Sequence, residues 1–222
     1  RGSQAGDHLL GGSGNDLVFG NPGDDHIYGD SGLNVHVNTR FLSVVTANTG
    51  TLPNHDGLVA GCDTMQGNAY DDIVFGDHGA IDQAAGTLRL LTTGQVTRIS
   101  TVQPGNGAAD LIEGNDGHDR LLGGAGGDTV SGNAGNDIDL GDHGVIDYVA
   151  LDGDLSTVDL VFTNNPDDGG GNDTLHGDAG DDQVLGGSGD DVITGGTGND
   201  VLLGDHGVLR HAGGSLVMVQ TE

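Results

Sequence analysis

Residues 168 to 203 repeat one grammar four times in units of nine, Gly-Gly-x-Gly-x-Asp-x-apolar-x, and this period constrains the chain more than any other feature. Asp173, Asp182, Asp191 and Asp200 stand at the sixth place, and Leu175, Val184, Ile193 and Leu202 at the eighth. Glycines at the first, second and fourth places can take positive φ and carry no side chain, so six positions make a turn whose carbonyls point to a common centre. The remaining three form a short strand that directs its middle residue inward. A flexible Gly/Asp-rich linker carries no apolar residue at period nine, which sets that reading aside.

An aspartate at the sixth place adds a carboxylate to the carbonyls of the turn. A hard cation such as calcium takes six to eight oxygens at about 2.3 to 2.6 Å, more than one six-residue turn supplies, whereas two stacked turns suffice. With two units per coil, the turn above any other lies eighteen residues on, pairing Asp173 with Asp191 and Asp182 with Asp200. The repeat resembles the calcium-binding nonapeptide of the RTX (repeats-in-toxin) family, and the resemblance covers roughly half the chain. It implies calcium, in multiple ions, held between the turns of an all-β fold. That fold is a calcium-stabilised parallel β-roll solenoid, here with inserted antiparallel β-hairpins and no significant helix.

The same grammar organises residues 1–222 as one repetitive unit with nonad blocks at 2–28, 58–75, 105–140 and 168–203. The first block carries Asp7, Asp16 and Asp25, the second Asp63 and Asp72, and the third Asp110, Asp119, Asp128 and Asp137. Eighteen-residue spacing pairs 7 with 25, 110 with 128 and 119 with 137. Thirteen units make about six and a half coils, or about 31 Å of continuous roll at about 4.8 Å per coil. Between and after the blocks lie β-rich insertions at 33–57, 80–104, 145–167 and 208–222. In the second, residues 87–93 and 96–102 flank Gly94-Gln95 and are expected to pair as a hairpin; in the third, 155–163 is expected to be one long strand.

Each block is followed by Gly-Asp-(His/Ser)-Gly, which places Asp30, Asp77, Asp142 and Asp205 at 47-, 65- and 63-residue intervals. These segments fill the first four places of a further unit, but the sixth place is then Asn34, Ile81, Ile146 or Leu209. One reading makes each a terminating turn whose carbonyls and Asp complete the preceding calcium site; another makes the Asp a structural acceptor for backbone amides. A third stacks His78, His143 and His206 around zinc or copper, with Ser31 breaking the set. Asp139 occupies an inward, apolar place and faces either an end of the roll or an extra cation. The ninth position is apolar at Tyr28, Phe75, Leu140 and Leu203, and earlier at Leu10 and Phe19, so the outer face of the roll needs a cover, either the inserted hairpins or a neighbouring chain.

Acidic residues number 34 against six arginines, and the formal charge is −28. Such a chain repels itself without counterions, and about ten calcium ions would reduce the charge to about −8, so folding is expected to couple to metal. The acidity excludes a nucleic-acid partner, and no apolar run is long enough for a membrane span. Cys62 stands alone as a small turn residue. No nucleophile elbow and no metalloprotease His-Glu-x-x-His segment is present, so the chain reads as a non-enzyme. Weak calcium sites fill at extracellular concentrations, which points to a secreted or cell-surface location. The functional expectation is a calcium-stiffened structural or adhesive module that associates with like modules. The alternatives are a calcium-triggered folding and secretion module attached to an enzyme or toxin, and an adhesin domain for cell-surface or matrix polysaccharide.

Overall fold

The computed structural model describes residues 1–30, 32–36, 41–45, 59–84, 96–164 and 169–221, the segments 32–36 and 41–45 in strand placement only. Strands alternate between two parallel walls, because successive nonads turn the chain back on itself. The long-strand wall contains β2 (Leu17–Pro22), β6 (Thr64–Ala69), β10 (Leu111–Asp116), β12 (Thr129–Ala134), β16 (Thr174–Ala179) and β18 (Val192–Thr197). The short-strand wall contains β1 (His8–Leu10), β3 (His26–Tyr28), β7 (Ile73–Phe75), β11 (Arg120–Leu122), β13 (Ile138–Leu140), β17 (Gln183–Leu185) and β19 (Val201–Leu203). No described residue is helical.

Eighth-position residues meet between the walls. Ile27, Met65, Val74, Ile112, Leu121, Val130, Leu175 and Val184 are buried in one thin cluster. The registers Leu121↔Asp139 and Asp139↔Val184 place Asp139 in the middle of this ladder, not at an end of the roll. It is fully buried, neither carboxylate oxygen has a hydrogen-bond partner, and burial pushes its carboxyl well above the usual range. Such a group is tolerated in an apolar ladder as the neutral acid.

The roll runs unbroken past the insertions. Val18 pairs in register with Met65 and Met65 with Ile112, 47 residues apart; Val130 pairs with Leu175, 45 apart. Each insertion leaves after a short strand, and the first three return before a long one, so all of them emerge at one corner. They form hairpins: β4 (Gly32–His36) with β5 (Phe41–Val45), β8 (Gly79–Gln83) with β9 (Val96–Thr101), β14 (Gly144–Asp147) with β15 (Leu160–Thr163), and β20 (Gly207–Ala212) with β21 (Ser215–Thr221). The last closes on Gly213-Gly214, both at positive φ, as a tight two-residue hairpin turn requires.

The last three hairpins join in the order β21-β20-β15-β14-β9-β8 into one antiparallel sheet. Coil geometry explains why β4–β5 stays apart as a two-stranded sheet. A hairpin is about 9.6 Å wide at about 4.8 Å per strand, which equals the rise of two coils. Two coils separate the exits at Gly76, Gly141 and Gly204, through Gly123 and Gly186, whereas Gly29 and Gly76 lie on adjacent coils. There the roll advances one strand width while the hairpin needs two.

Two expectations for the insertions need correction. Both edges of β9 are taken, by β8 and β14, so its hairpin is closed by β8; residues 87–93 lie outside the described residues. The strand expected over 155–163 begins only at Leu160, because Asp154 draws the backbone N–H groups of Ser156 and Thr157 into a turn.

The antiparallel sheet is the cover that the apolar ninth positions call for. Tyr28, Phe75, Leu122, Leu140, Leu185 and Leu203 project from the short-strand wall onto Ile99, Ile146, Val161 and Leu209 of the hairpins. Tyr28 and Phe75 stack with ring centroids 5.1 Å apart. The ninth positions of the long-strand wall face outward, no second sheet lies over them among the described residues, and they are mostly polar; Gln66 there donates to Glu113 at 2.6 Å, and His176 bonds Thr194 at 2.6 Å.

Candidate metal centres

The two turn corners carry two columns of aspartate. On the hairpin corner the order is Asp16, Asp63, Asp110, Asp128, Asp173, Asp191; on the other it is Asp7, Asp25, Asp72, Asp119, Asp137, Asp182, Asp200. Every aspartate N–H in a column but the last donates to Oδ1 of the aspartate on the next coil, at 2.7 to 2.9 Å except for 3.2 Å at Asp182 to Asp200. The eighteen-residue pairs are thus joined by pairs 45 and 47 residues apart, with the hairpins looped out between partners.

Oδ1 is spent on this ladder, while Oδ2 points into the turn. Oδ2 of Asp25, Asp63, Asp72, Asp110, Asp119, Asp128, Asp137, Asp173, Asp182 and Asp191 is buried without a hydrogen-bond partner. Beside each lies the first glycine of its turn. A β-carbon on Gly20, Gly67, Gly114 or Gly186 would collide with Oδ2 of its own turn and with a glycine carbonyl of the next coil. Only glycine leaves room for a carboxylate oxygen and a carbonyl oxygen to face one space.

Burial of these carboxylates has an electrostatic cost. Loss of solvent pushes Asp72 and Asp110 up to about 8, Asp119 and Asp173 to about 7, and Asp25, Asp63 and Asp137 to about 6, with neighbouring aspartates adding to the shift. Two unit charges one coil apart, about 4.8 Å, repel by about 3.5 kcal/mol at an effective dielectric of about 20. Six or seven in a row need counter-cations or protons.

Among the described residues no three His, Cys, Asp or Glu side chains gather as a metal-binding group. Among the described residues there is thus no cluster of the kind a soft or tetrahedral metal takes, while the carbonyls and paired carboxylates of the turns are the oxygen ligands that a hard cation takes. A match to the family model for the RTX calcium-binding nonapeptide repeat covers residues 1–35, 60–80, 104–139 and 167–207, in four copies. The chain belongs to the RTX calcium-binding nonapeptide repeat family. Calcium, in several ions, is accordingly its metal. A search of curated proteins finds no match to the chain.

The four Gly-Asp-(His/Ser)-Gly aspartates sit differently in this RTX roll. Asp77 accepts from the backbone N–H of Ala108 at 3.0 Å through Oδ1 and of Ala125 at 2.6 Å through Oδ2. Asp142 accepts from Gly171 at 3.0 Å and from Ser188, and Asp30 from Gly61 at 3.2 Å. Gly61, Ala108 and Gly171 are fourth-position residues of the units that follow the hairpins. The segment is therefore the first half of a turn split by a hairpin, not the end of a roll. Gly29 shares its cradle with Asp63, Gly76 with Asp110 and Gly141 with Asp173, so the missing sixth-place aspartate arrives after the hairpin. For Gly204 and Asp205 the described residues supply no returning half.

The histidines of these segments are held separately by hydrogen bonds: His78 with Asn106 at 2.7 Å, His143 with the Pro104 carbonyl at 3.1 Å, and His206 with Thr163 at 3.0 Å and Ser188 at 2.9 Å. They form no shared zinc or copper site.

Sequence reasoning missed a third column, at the fifth position. His118 N–H donates to Asp71 Oδ1, Asn136 N–H to His118 Nδ1, Asp181 N–H to Asn136 Oδ1 and Asn199 N–H to Asp181 Oδ1, all at 2.8 or 2.9 Å. The available signal was the Asn, Asp or His that precedes most sixth-place aspartates.

Proposed function

We propose that the thirteen column aspartates bind calcium between facing turns, five sites on the hairpin corner and six on the other, and that this binding folds and stiffens the chain. The supporting observation is the set of buried Oδ2 atoms without partners, each beside a glycine whose missing side chain leaves the cradle open. About eleven divalent ions would take the formal charge from −28 to about −6, enough to relieve the repulsion along both columns. Asp30, Asp77 and Asp142 act on these sites by joining the halves of the split turns, and Asp205 opens a further one. Calcium titration of the metal-free chain, followed by circular dichroism and by counting bound ions, tests this. A cooperative gain of β signal with about eleven ions supports the assignment, and a fully folded chain in excess chelator contradicts it.

The module is structural, not catalytic, and belongs to a secreted or cell-surface protein in which it associates with like modules. The fold favours this over a secretion module for an attached enzyme, because the hairpins build a second sheet along the roll that metal-triggered folding alone does not require. Edge strand β21 carries exposed Val217 and Val219, a surface suited to another strand. Sedimentation in calcium should show assemblies that chelator disperses.

A further inference from the structure

A cleft of about 620 Å³ lies between the fifth-position column and the overhanging outer layer. One wall is Asp71, His118, Asn136, Asp181 and Asn199, joined in a line by the backbone bonds described above, with rungs about 4.8 Å apart. Each of these side chains spends one atom on the column and leaves another open. Asp71 and Asp181 retain Oδ2 as acceptors, and Asn199 retains Oδ1, because its Nδ2 donates to Asp181 at 3.0 Å. Asn136 retains Nδ2 as a donor. The Nδ1 of His118 accepts, so its neutral ring carries the proton on Nε2 and donates there.

Acceptors therefore flank two donors along one line: Asp71, then His118 and Asn136, then Asp181 and Asn199. Arg120 adds a further donor from the floor, where its Nε bonds the Tyr148 hydroxyl at 3.1 Å. Apolar surface comes from Ile138 and Val201 on the roll and from Val158 and Leu216 above. Two polar side chains in the walls lack partners: His211, 4% exposed with neither ring nitrogen hydrogen-bonded, and Gln183 at Oε1. Buried polar groups without partners cost stability, and a ligand that reaches them removes that cost.

We propose that this cleft binds a short neutral oligosaccharide lying along the roll axis. Sugar hydroxyls both donate and accept, which suits a wall whose open groups include both kinds, and the C–H faces of the rings suit the aliphatic patches. An anion would meet the carboxylates of Asp71 and Asp181, and a polycation would meet the donors of His118, Asn136 and Arg120. The volume falls within the usual range for small-ligand clefts, about 300 to 1,000 Å³. The site needs the folded roll for its wall but does not depend on the assigned number of calcium ions.

The test is binding of labelled maltohexaose, cellohexaose and N-acetylated chitohexaose to the whole calcium-loaded chain, with oligogalacturonate and spermine as charged controls. Asp71→Asn and Asn136→Asp keep the Oδ1 that each column bond needs and invert the polarity of the open atom. Each should weaken binding of a neutral hexasaccharide about tenfold. Glu113→Gln on the opposite wall should leave binding unchanged. Circular dichroism in calcium separates a failed roll from a failed cleft; should a column variant lose β structure, Leu216→Arg blocks the cleft from the outer hairpin and should abolish binding. The proposal is overturned if none of the neutral hexasaccharides binds at millimolar concentration, if binding withstands these substitutions, or if only a charged control binds.

Discussion

The roll and the hairpin sheet lie face to face yet are held together by different physics. The roll has a core one residue thick, lined by eighth-position side chains, and its corners concentrate negative charge. The hairpin sheet has no ionic columns; it is antiparallel and fastened by Ile99, Ile146, Val161 and Leu209 against the wall beneath. Under the proposed calcium assignment, chain geometry in the first is set by ions and in the second by apolar contact. The second nonetheless depends on the first, because the hairpins have their buried face only while the wall exists.

Removing calcium at neutral pH should break this comparison most completely. Chelator is expected to unfold the roll and release the hairpin sheet with it, giving one transition in circular dichroism and in hydrogen exchange at Ile146. A hairpin sheet that keeps its exchange protection in chelator would show that it folds alone.

Next in size, Asp128→Ala removes a proposed mid-column ligand and leaves the Asp110 N–H without its acceptor. Breaking a buried charge cluster on one side costs about 3 to 5 kcal/mol, and the calcium midpoint should rise accordingly. Ile146→Ala, fully buried in the outer interface, should cost about 2 to 5 kcal/mol in thermal or denaturant unfolding in saturating calcium, with the number of bound ions unchanged. Loss of bound ions from this variant would mean that the two regions are less separable than their contacts suggest.

The pH response follows from carboxyls whose pKa is raised in the fold. For such groups the metal-free fold is favoured fully below the ordinary value near 3.8, and that contribution is lost as pH rises through about 6 to 8. In chelator, β signal should therefore grow as pH falls from 8 toward 4, while the calcium midpoint rises because protons and calcium compete for the same oxygens. The smallest effect is expected for Asp77→Asn, which keeps Oδ1 for Ala108 and loses the acceptor for Ala125, costing about 1 to 2 kcal/mol with little change in calcium midpoint.

Much of the roll was legible because a period of nine repeats the same local decision thirteen times. Asp173 with Asp191 and Asp119 with Asp137 follow from two units per coil alone. The split turns were harder to see: Ile81 or Ile146 stands where the sixth residue should be, and only the closed fold shows Asp110 or Asp173 filling that place after a hairpin. The apolar ninth positions pointed to a cover, but Leu122 and Leu185 went unnoticed. They complete an alternation, apolar above the short strands and mostly polar above the long ones, that identifies which wall is covered. Residues 155–159 read as strand from β-branched and apolar content, yet the local bonds of Asp154 override it. Asp139 could not be placed, since no periodic rule puts a carboxyl inside an apolar ladder.

The match between hairpin width and coil rise limits how such a chain can change its length. Asp77, Asp142 and Asp205 follow one another at 65 and 63 residues, each step combining two coils with one hairpin, whereas Asp30 precedes Asp77 by 47 and its hairpin stands outside the sheet. Gain or loss of a single nonad would exchange the walls, turning the covered face to solvent and moving the next hairpin to the opposite corner. Gain of two nonads, one coil, would open a gap one strand wide in the outer sheet. Duplication that leaves both sheets continuous must therefore copy a whole coil-pair with its hairpin, making that block, rather than the nonapeptide, the increment by which this architecture can grow.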